Sequence, residues 1–213
     1  MPLYKTIPVD ATTKVLIWKI EESVEELSKG INLTPHCKNR LKKIKFSDQQ
    51  KQFLSIRHLL QEIGYKDNDM YYNPLGKPYL HNGKHISITH SYQFSAIIVS
   101  TKPVGIDIEK QREKIFKIAP RFTPLKEYRT LANHEAIIRK LTLVWSTKEA
   151  IYKIMETPGL SFLEHIYVHD FDFNAHLTTA EVNHKNKLTN FSVKFLEFEG
   201  FSCAYALFLP PAL

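Results

Sequence analysis

A chain of 213 residues with 43% hydrophobic side chains, 24% charged ones and only 7 glycines can bury a substantial core, which excludes a disordered, collagen-like or low-complexity protein. Cys37 and Cys203 lie far apart and form no CxxC, and no run of about 18 apolar residues is present, so the expectation is a reduced, cytoplasmic protein, neither secreted nor membrane-spanning. Lys and Arg number 29 against 22 Asp and Glu, a formal net charge of +7, so the surface attracts an anionic partner: nucleic acid, an acidic protein or a phosphorylated small molecule.

In chain order, "KVLIWKI" predicts a first strand. The stretch from residue 28 to Gly64 is rich in helix formers. Ser47 and Asp48 mark a helix start, and Phe53, Leu54, Ile56, Leu59, Leu60 and Ile63 form an apolar stripe at near-helical spacing, read as core. "YYNPLGKPYLHNGKH" reads as a loop, with turn residues at Asn73-Pro74, Gly76 and Asn82-Gly83. "HISITHS" and "FSAIIVS" predict a hairpin closing at Tyr92-Gln93, followed by a "VGIDIE" strand. Residues 115–155 read as mainly helical, with Pro120 and Pro124 breaking the start. "FLEHIYVHDF", "LTTAEVN", "FSVKFLEF" and "FSCAYALFL" then read as strands. Each half holds helices and ends in hairpin-like β segments. The expectation is therefore two tandem lobes, residues 1–102 and 103–213, although the halves share too little identity to form a sequence repeat.

Within "PVGIDIEK", residues 103–110, side-chain alternation places Val104, Ile106 and Ile108 on one face of the strand and Gly105, Asp107 and Glu109 on the other. The two carboxylates, with Cα atoms roughly 6.5 Å apart, suit a shared cation; an edge strand with a solvated acidic face accounts for them equally well. Downstream, "WSTKEAIYKI", residues 145–154, opens a helical pattern with Ser146 at the N-cap. Glu149 and Lys153, four apart, share a helix face with Lys148 at its edge; Ser146 and Glu149 also satisfy a capping box, and Glu149 with Lys153 an ordinary i,i+4 ion pair.

Read together, these motifs resemble those of the 4'-phosphopantetheinyl transferase superfamily, most closely its longer single-chain type that activates nonribosomal peptide synthetases and similar carriers. The likeness rests on the basic helix before "SIRHLL", then "GKPYL", "ISITHS", "PVGIDIEK", "RFTPLKEY" and "WSTKEAIYK", in that family's order and spacing. It implies an α+β fold of two similar lobes in tandem about a pseudo-twofold axis, a monomer of pseudo-dimeric architecture, with coenzyme A held in the cleft between the lobes. It implies transfer of the 4'-phosphopantetheine group from coenzyme A to a serine of an acyl or peptidyl carrier protein, releasing adenosine 3',5'-bisphosphate. The implied metal ligands are Asp107, Glu109 and Glu149, holding Mg²⁺ with Mn²⁺ as the alternative.

By the same resemblance, Lys153 approaches the transferred phosphate, and Glu149 or Glu127 takes the serine proton. Lys77 and His90 match positions that meet the nucleotide end of coenzyme A, Thr89 stands where the family commonly has serine, and Arg40 and Lys43 lie in the assisting basic segment. Lys148 matches a further family lysine, a solvated helix charge being its alternative. A glycine-lysine-glycine turn common after the motif lysine is replaced here by "IMETPGLSF".

Two other constellations arise. His169, Asp170, Asp172 and His176 in "HDFDFNAH" lack zinc-site spacing and read as strand and turn. "RLKKIK" lacks the interleaved aromatics of a nucleic-acid stacking platform, so neither nucleic acid nor membrane is an expected partner. The competing function class is a basic, non-catalytic binding module for nucleic acid or an acidic protein.

Overall fold

The computed structural model describes residues 3–124 and 133–209, which fall into two compact α+β units, Met1–Lys102 and Pro103–Leu213. The first holds an antiparallel sheet of β1 (Leu3–Pro8), β2 (Lys14–Lys19), β5 (His85–Ser91) and β6 (Phe94–Ser100) in the order β1-β2-β6-β5. Helices α1 (Val24–Ser28), α2 (Pro35–Lys43) and α3 (Ser47–Gln61) and the short hairpin β3 (Met70–Tyr72) and β4 (Pro78–Leu80) complete it. The α3 stripe packs as its spacing predicts. Leu54, Ile56, Leu59 and Leu60 are buried with Leu16, Trp18, Ile86 and Ile97 of the sheet, and each such side chain contributes about 1.5–3 kcal/mol by leaving water.

Polar groups satisfy the helix ends. Ser23 and Glu26 form a reciprocal capping box on α1, and the Thr34 hydroxyl caps α2 by accepting from the Cys37 amide at 3.3 Å. Asp67, beneath α3, accepts from Thr34 and from the buried Arg57 guanidinium, 3.1 Å away. Both cysteines are buried free thiols.

The second unit is one antiparallel sheet, β7 (Val104–Lys110), β8 (Ile166–Val168), β9 (Leu177–His184), β10 (Lys187–Phe198) and β11 (Phe201–Phe208), ordered β7-β11-β10-β9-β8. After the single turn α4 (Ile115–Ile118), the 22-residue α5 (His134–Met155) packs on β7 and β11. Its Leu141, Val144, Ile151 and Ile154 join Phe191, Val193, Ala204 and Ala206 in one core. The N-terminal half of α5 is tied down by charge: Arg139 grips Glu197 through two bonds of 3.0 and 2.5 Å, and buried Lys140 pairs with Asp170.

Four expectations need revision. Strand β1 precedes the predicted first strand; its exposed, polar "LYKTIP" carries no period-2 apolar signal, and only pairing with β2 makes it a strand. The predicted loop at 71–85 holds most of β3 and all of β4, and the long predicted strand at "FLEHIYVHDF" shrinks to Ile166–Val168. Ser146 is not an N-cap. Asn133 caps α5, its side chain accepting from the Ala136 amide at 2.8 Å, and Ser146 lies mid-helix, fully buried, its hydroxyl without a hydrogen-bond partner among the described residues. The capping-box pattern arises inside a continuous helix, where the Glu149 amide belongs to the helical ladder. Among the described residues no helix is long and apolar enough to cross a membrane.

Candidate active site

The site begins with a close approach of backbones. Gly105 of β7 faces α5 so tightly that a Cβ there would lie 1.9 Å from the Ala150 carbonyl oxygen and 3.0 Å from Ile154 Cγ1. Across the ladder from Gly105, Asp107 and Glu109 stand Ala206, Ala204 and Ser202 of β11. This floor of small side chains, with Ala150 above it, lets α5 settle onto the sheet. The acidic face of β7 is thus covered by a helix, and the solvated-face reading of Asp107 falls: that residue is 5% exposed. Sequence reasoning noted Gly105 only as a member of the face. The small residues alternating in "FSCAYALF" were the signal that a helix comes close there.

Glu149 and Lys153 project from successive turns of α5, directly over this face. The Lys153 ammonium donates to Asp107 Oδ1 and to the Ile106 carbonyl, both at 2.8 Å. Burial, then the negative charges of Asp107 and Glu109, push the Glu149 carboxyl up to about 7, although Lys153 pulls the other way. Three carboxylates and one ammonium therefore share a poorly solvated patch. Their hard oxygen donors and the ammonium standing in for a cation fit a divalent ion such as Mg²⁺. As the side chains stand, no three His, Cys, Asp or Glu among the described residues are grouped to hold a metal, so a bound ion requires side-chain rotation. In "HDFDFNAH", His169 instead meets Glu181 at 3.1 Å, Asp170 pairs with Lys140, and Asp172 caps a 3-10 turn.

Lys148 departs from both of its predicted roles. It points away from solvent, is 0% exposed, and donates through Nζ to the carbonyls of Phe122 at 2.6 Å and Phe162 at 3.0 Å. Being one residue from Glu149 turns it about 100° around the helix and into the core, where it staples two loops to α5. Replacing Lys148 by Met is expected to cost about 2–4 kcal/mol in urea unfolding, because two buried carbonyls lose a charged donor. A lysine reserved for a ligand would shift stability by no more than about 0.5 kcal/mol.

The other expected residues belong to the first unit, except Glu127, which lies outside the described residues. Lys77 sits in the turn before β4, its ammonium 5.7 Å from the Tyr79 ring centre; burial, and after it the Lys77 charge, depresses the pKa of His85. Thr89 is buried and His90 exposed at the far end of β5, about 17 Å along the strand from His85. Arg40 and Lys43 are exposed on α2, and the Arg40 guanidinium lies 4.6 Å over the Tyr72 ring.

Known proteins match over the same unit. A family profile described as the 4'-phosphopantetheinyl transferase superfamily matches residues 103–206. A 4'-phosphopantetheinyl transferase gsp from Aneurinibacillus migulanus is 27% identical over 158 residues, 72% of this chain and 65% of that protein. A 4'-phosphopantetheinyl transferase from Bacillus subtilis is 38% identical over 82 residues, 37% of each chain. The chain thus spans just under two thirds of the first relative. Residues 103–206, nearly all of the C-terminal unit, are thus similar to the 4'-phosphopantetheinyl transferase superfamily.

Proposed function

We propose that this chain transfers the 4'-phosphopantetheine group of coenzyme A to a serine hydroxyl of an acyl or peptidyl carrier protein. The observation that carries the proposal is the convergence of Asp107, Glu149 and Lys153 on the Gly105 contact, within the residues that match the family. In the reaction the serine oxygen bonds to the pantetheine phosphorus, the pyrophosphate bridge breaks at that phosphorus, and adenosine 3',5'-bisphosphate leaves. Asp107, Glu109 and Glu149 would hold a divalent cation, which supplies charge neutralisation at the pyrophosphate.

The chain's own groups do the rest. Glu149, with a carboxyl at about 7 in the metal-free protein, and Glu127 are the carboxylates available to take the serine proton. The Lys153 ammonium would meet the charge that develops on the leaving phosphate. Lys77, Thr89, His90, Arg40 and Lys43 are assigned to the phosphates and base of coenzyme A. The net charge of +7 favours encounter with an acidic carrier, and the proposed setting is the cytoplasm.

Mass spectrometry of an apo carrier incubated with the protein, coenzyme A and Mg²⁺ tests the reading. The expected result is the phosphopantetheine mass increment on the carrier serine, lost on adding a chelator. A panel of fatty-acid, polyketide and nonribosomal carriers that all stay unmodified refutes it.

A further inference from the structure

A recess in the first unit is formed within residues 31–68, outside the matched segment 103–206. It opens beside the C-terminal end of α3 and encloses about 390 Å³. Liquid water takes about 30 Å³ per molecule, so the space is far larger than an inorganic ion needs and falls in the range of small-molecule pockets.

The floor of the recess is a pair of buried charges, Arg57 and Asp67, 2% and 5% exposed. The Arg57 guanidinium lies 3.6 Å from the Phe53 ring centre. It donates from Nε to Asp67 Oδ1 at 3.1 Å, from Nη1 to the Phe53 carbonyl at 3.0 Å and from Nη2 to Cys37 Sγ at 3.4 Å. These bonds use three of the five N–H groups of an arginine, and the other two have no acceptor among the described residues. Asp67 has no such surplus. Its Oδ1 holds Arg57, and its Oδ2 accepts from the Thr34 amide at 2.8 Å and the Thr34 hydroxyl at 2.9 Å. Burial by itself would raise the Asp67 carboxyl, but the Thr34 bonds and the Arg57 charge bring it below its ordinary value, so the floor is an ion pair with donors to spare.

The remaining side chains set the rest of the chemistry. Half-buried Ile31 and Leu33 supply apolar surface, and exposed Lys66 and Asn68 stand at the rim. With Asp67 neutralised by Arg57, the Lys66 ammonium is the charge left over among the lining side chains. A cationic ligand therefore meets no unspent carboxylate, a purely apolar one leaves buried donors unsatisfied, and an inorganic anion leaves Ile31 and Leu33 uncovered.

We propose that the recess binds a small organic monoanion, a carboxylate on a short apolar body, with the donors of Arg57 and Lys66 on the carboxylate and Ile31 and Leu33 against the body. Carboxylate oxygens match the planar donor edge of a guanidinium, and charge-assisted bonds of this kind are about twice as strong as neutral ones. The site shares no residue with the acidic face or with the positions assigned to coenzyme A, so its test is separate from that of the transfer reaction.

The probe is hexanoate, titrated into the isotope-labelled full chain and followed by amide NMR. Saturable shifts are expected at residues 31–34 and 66–68, with half-saturation below about 10 mM. Hexanamide keeps the body and loses the charge, and is expected to bind at least about tenfold more weakly. Inorganic phosphate at matched ionic strength is expected to leave these amides unmoved. Asn68→Trp fills the recess from its rim without touching the buried pair and should weaken hexanoate about tenfold or more. Lys66→Glu should weaken it about fivefold. Both positions are exposed, so neither substitution disturbs the core. Absence of a localised, saturable shift with hexanoate, equal binding of hexanamide, an equal response to phosphate, or unchanged affinity in either variant overturns the proposal.

Discussion

Gly105→Ala is expected to be the most damaging single substitution in the C-terminal unit, lowering stability by about 3–5 kcal/mol in chemical denaturation. The new methyl would meet the Ala150 carbonyl oxygen at 1.9 Å and its carbon at 2.8 Å. Both are backbone atoms of a 22-residue helix, so no flexible side chain can swing aside and α5 must lift from the sheet. The same lift would draw Lys153 off Asp107 and Glu149 off the acidic face, so transfer activity should fall at least a hundredfold even in the folded fraction. Ala204→Gly, on the neighbouring strand of the same floor, provides the contrast: it loosens packing without a clash and should cost about 1 kcal/mol. If Gly105→Ala unfolded within about 1 kcal/mol of wild type, the close contact would not be what seats the helix.

Glu149→Gln is expected to abolish transfer, by a factor of about 10³ or more, while making the metal-free protein more stable at neutral and alkaline pH. In the folded chain the Glu149 carboxyl is raised from 4.5 to about 7, chiefly by burial and then by Asp107. A folded pKa above the unfolded one means the folded state binds more protons between pH 4.5 and about 7. Stability from this group is therefore fully present below about 4.5, declines as pH rises through that window, and is at its lowest above about 7. The shift corresponds to at most about 3 kcal/mol, and partial solvent access reduces it. Glutamine keeps the shape and cannot ionise. The variant should match wild type near pH 4.5 and exceed it by about 1–2 kcal/mol at pH 8 in chelator-treated samples. Thermal unfolding across this pH range checks the sign: a variant less stable than wild type at pH 8 would mean that the ionised carboxylate is a stabilising member of the cluster.

Much of the architecture was legible because period and position are written into the chain. The short apolar segments "HISITHS" and "FSAIIVS" and the alternation in "FSVKFLEF" determine strands β5, β6 and β10, and the α3 stripe determines which side of that helix meets a sheet. The order and spacing of "GIDIE" and "WSTKEAIYK" point to the family on their own, and alternation alone puts Asp107 and Glu109 on one face. What covers that face is not a local property. Whether it meets water or a helix depends on how closely α5 can approach, which is set by Gly105 together with Ala204 and Ala206 from a strand about 100 residues later.

The same distinction explains Lys148 and Ser146. A motif places them beside Glu149, but helical rotation and the loops at Phe122 and Phe162 turn one into a buried staple, and the Asn133 cap far upstream leaves the other mid-helix. The sequence by itself determined most of the elements, the family resemblance and the residue types of the candidate site. Only the tertiary structure decided which charges are buried and which cation neutralises them, because desolvation and ion pairing depend on distances between segments far apart in the chain.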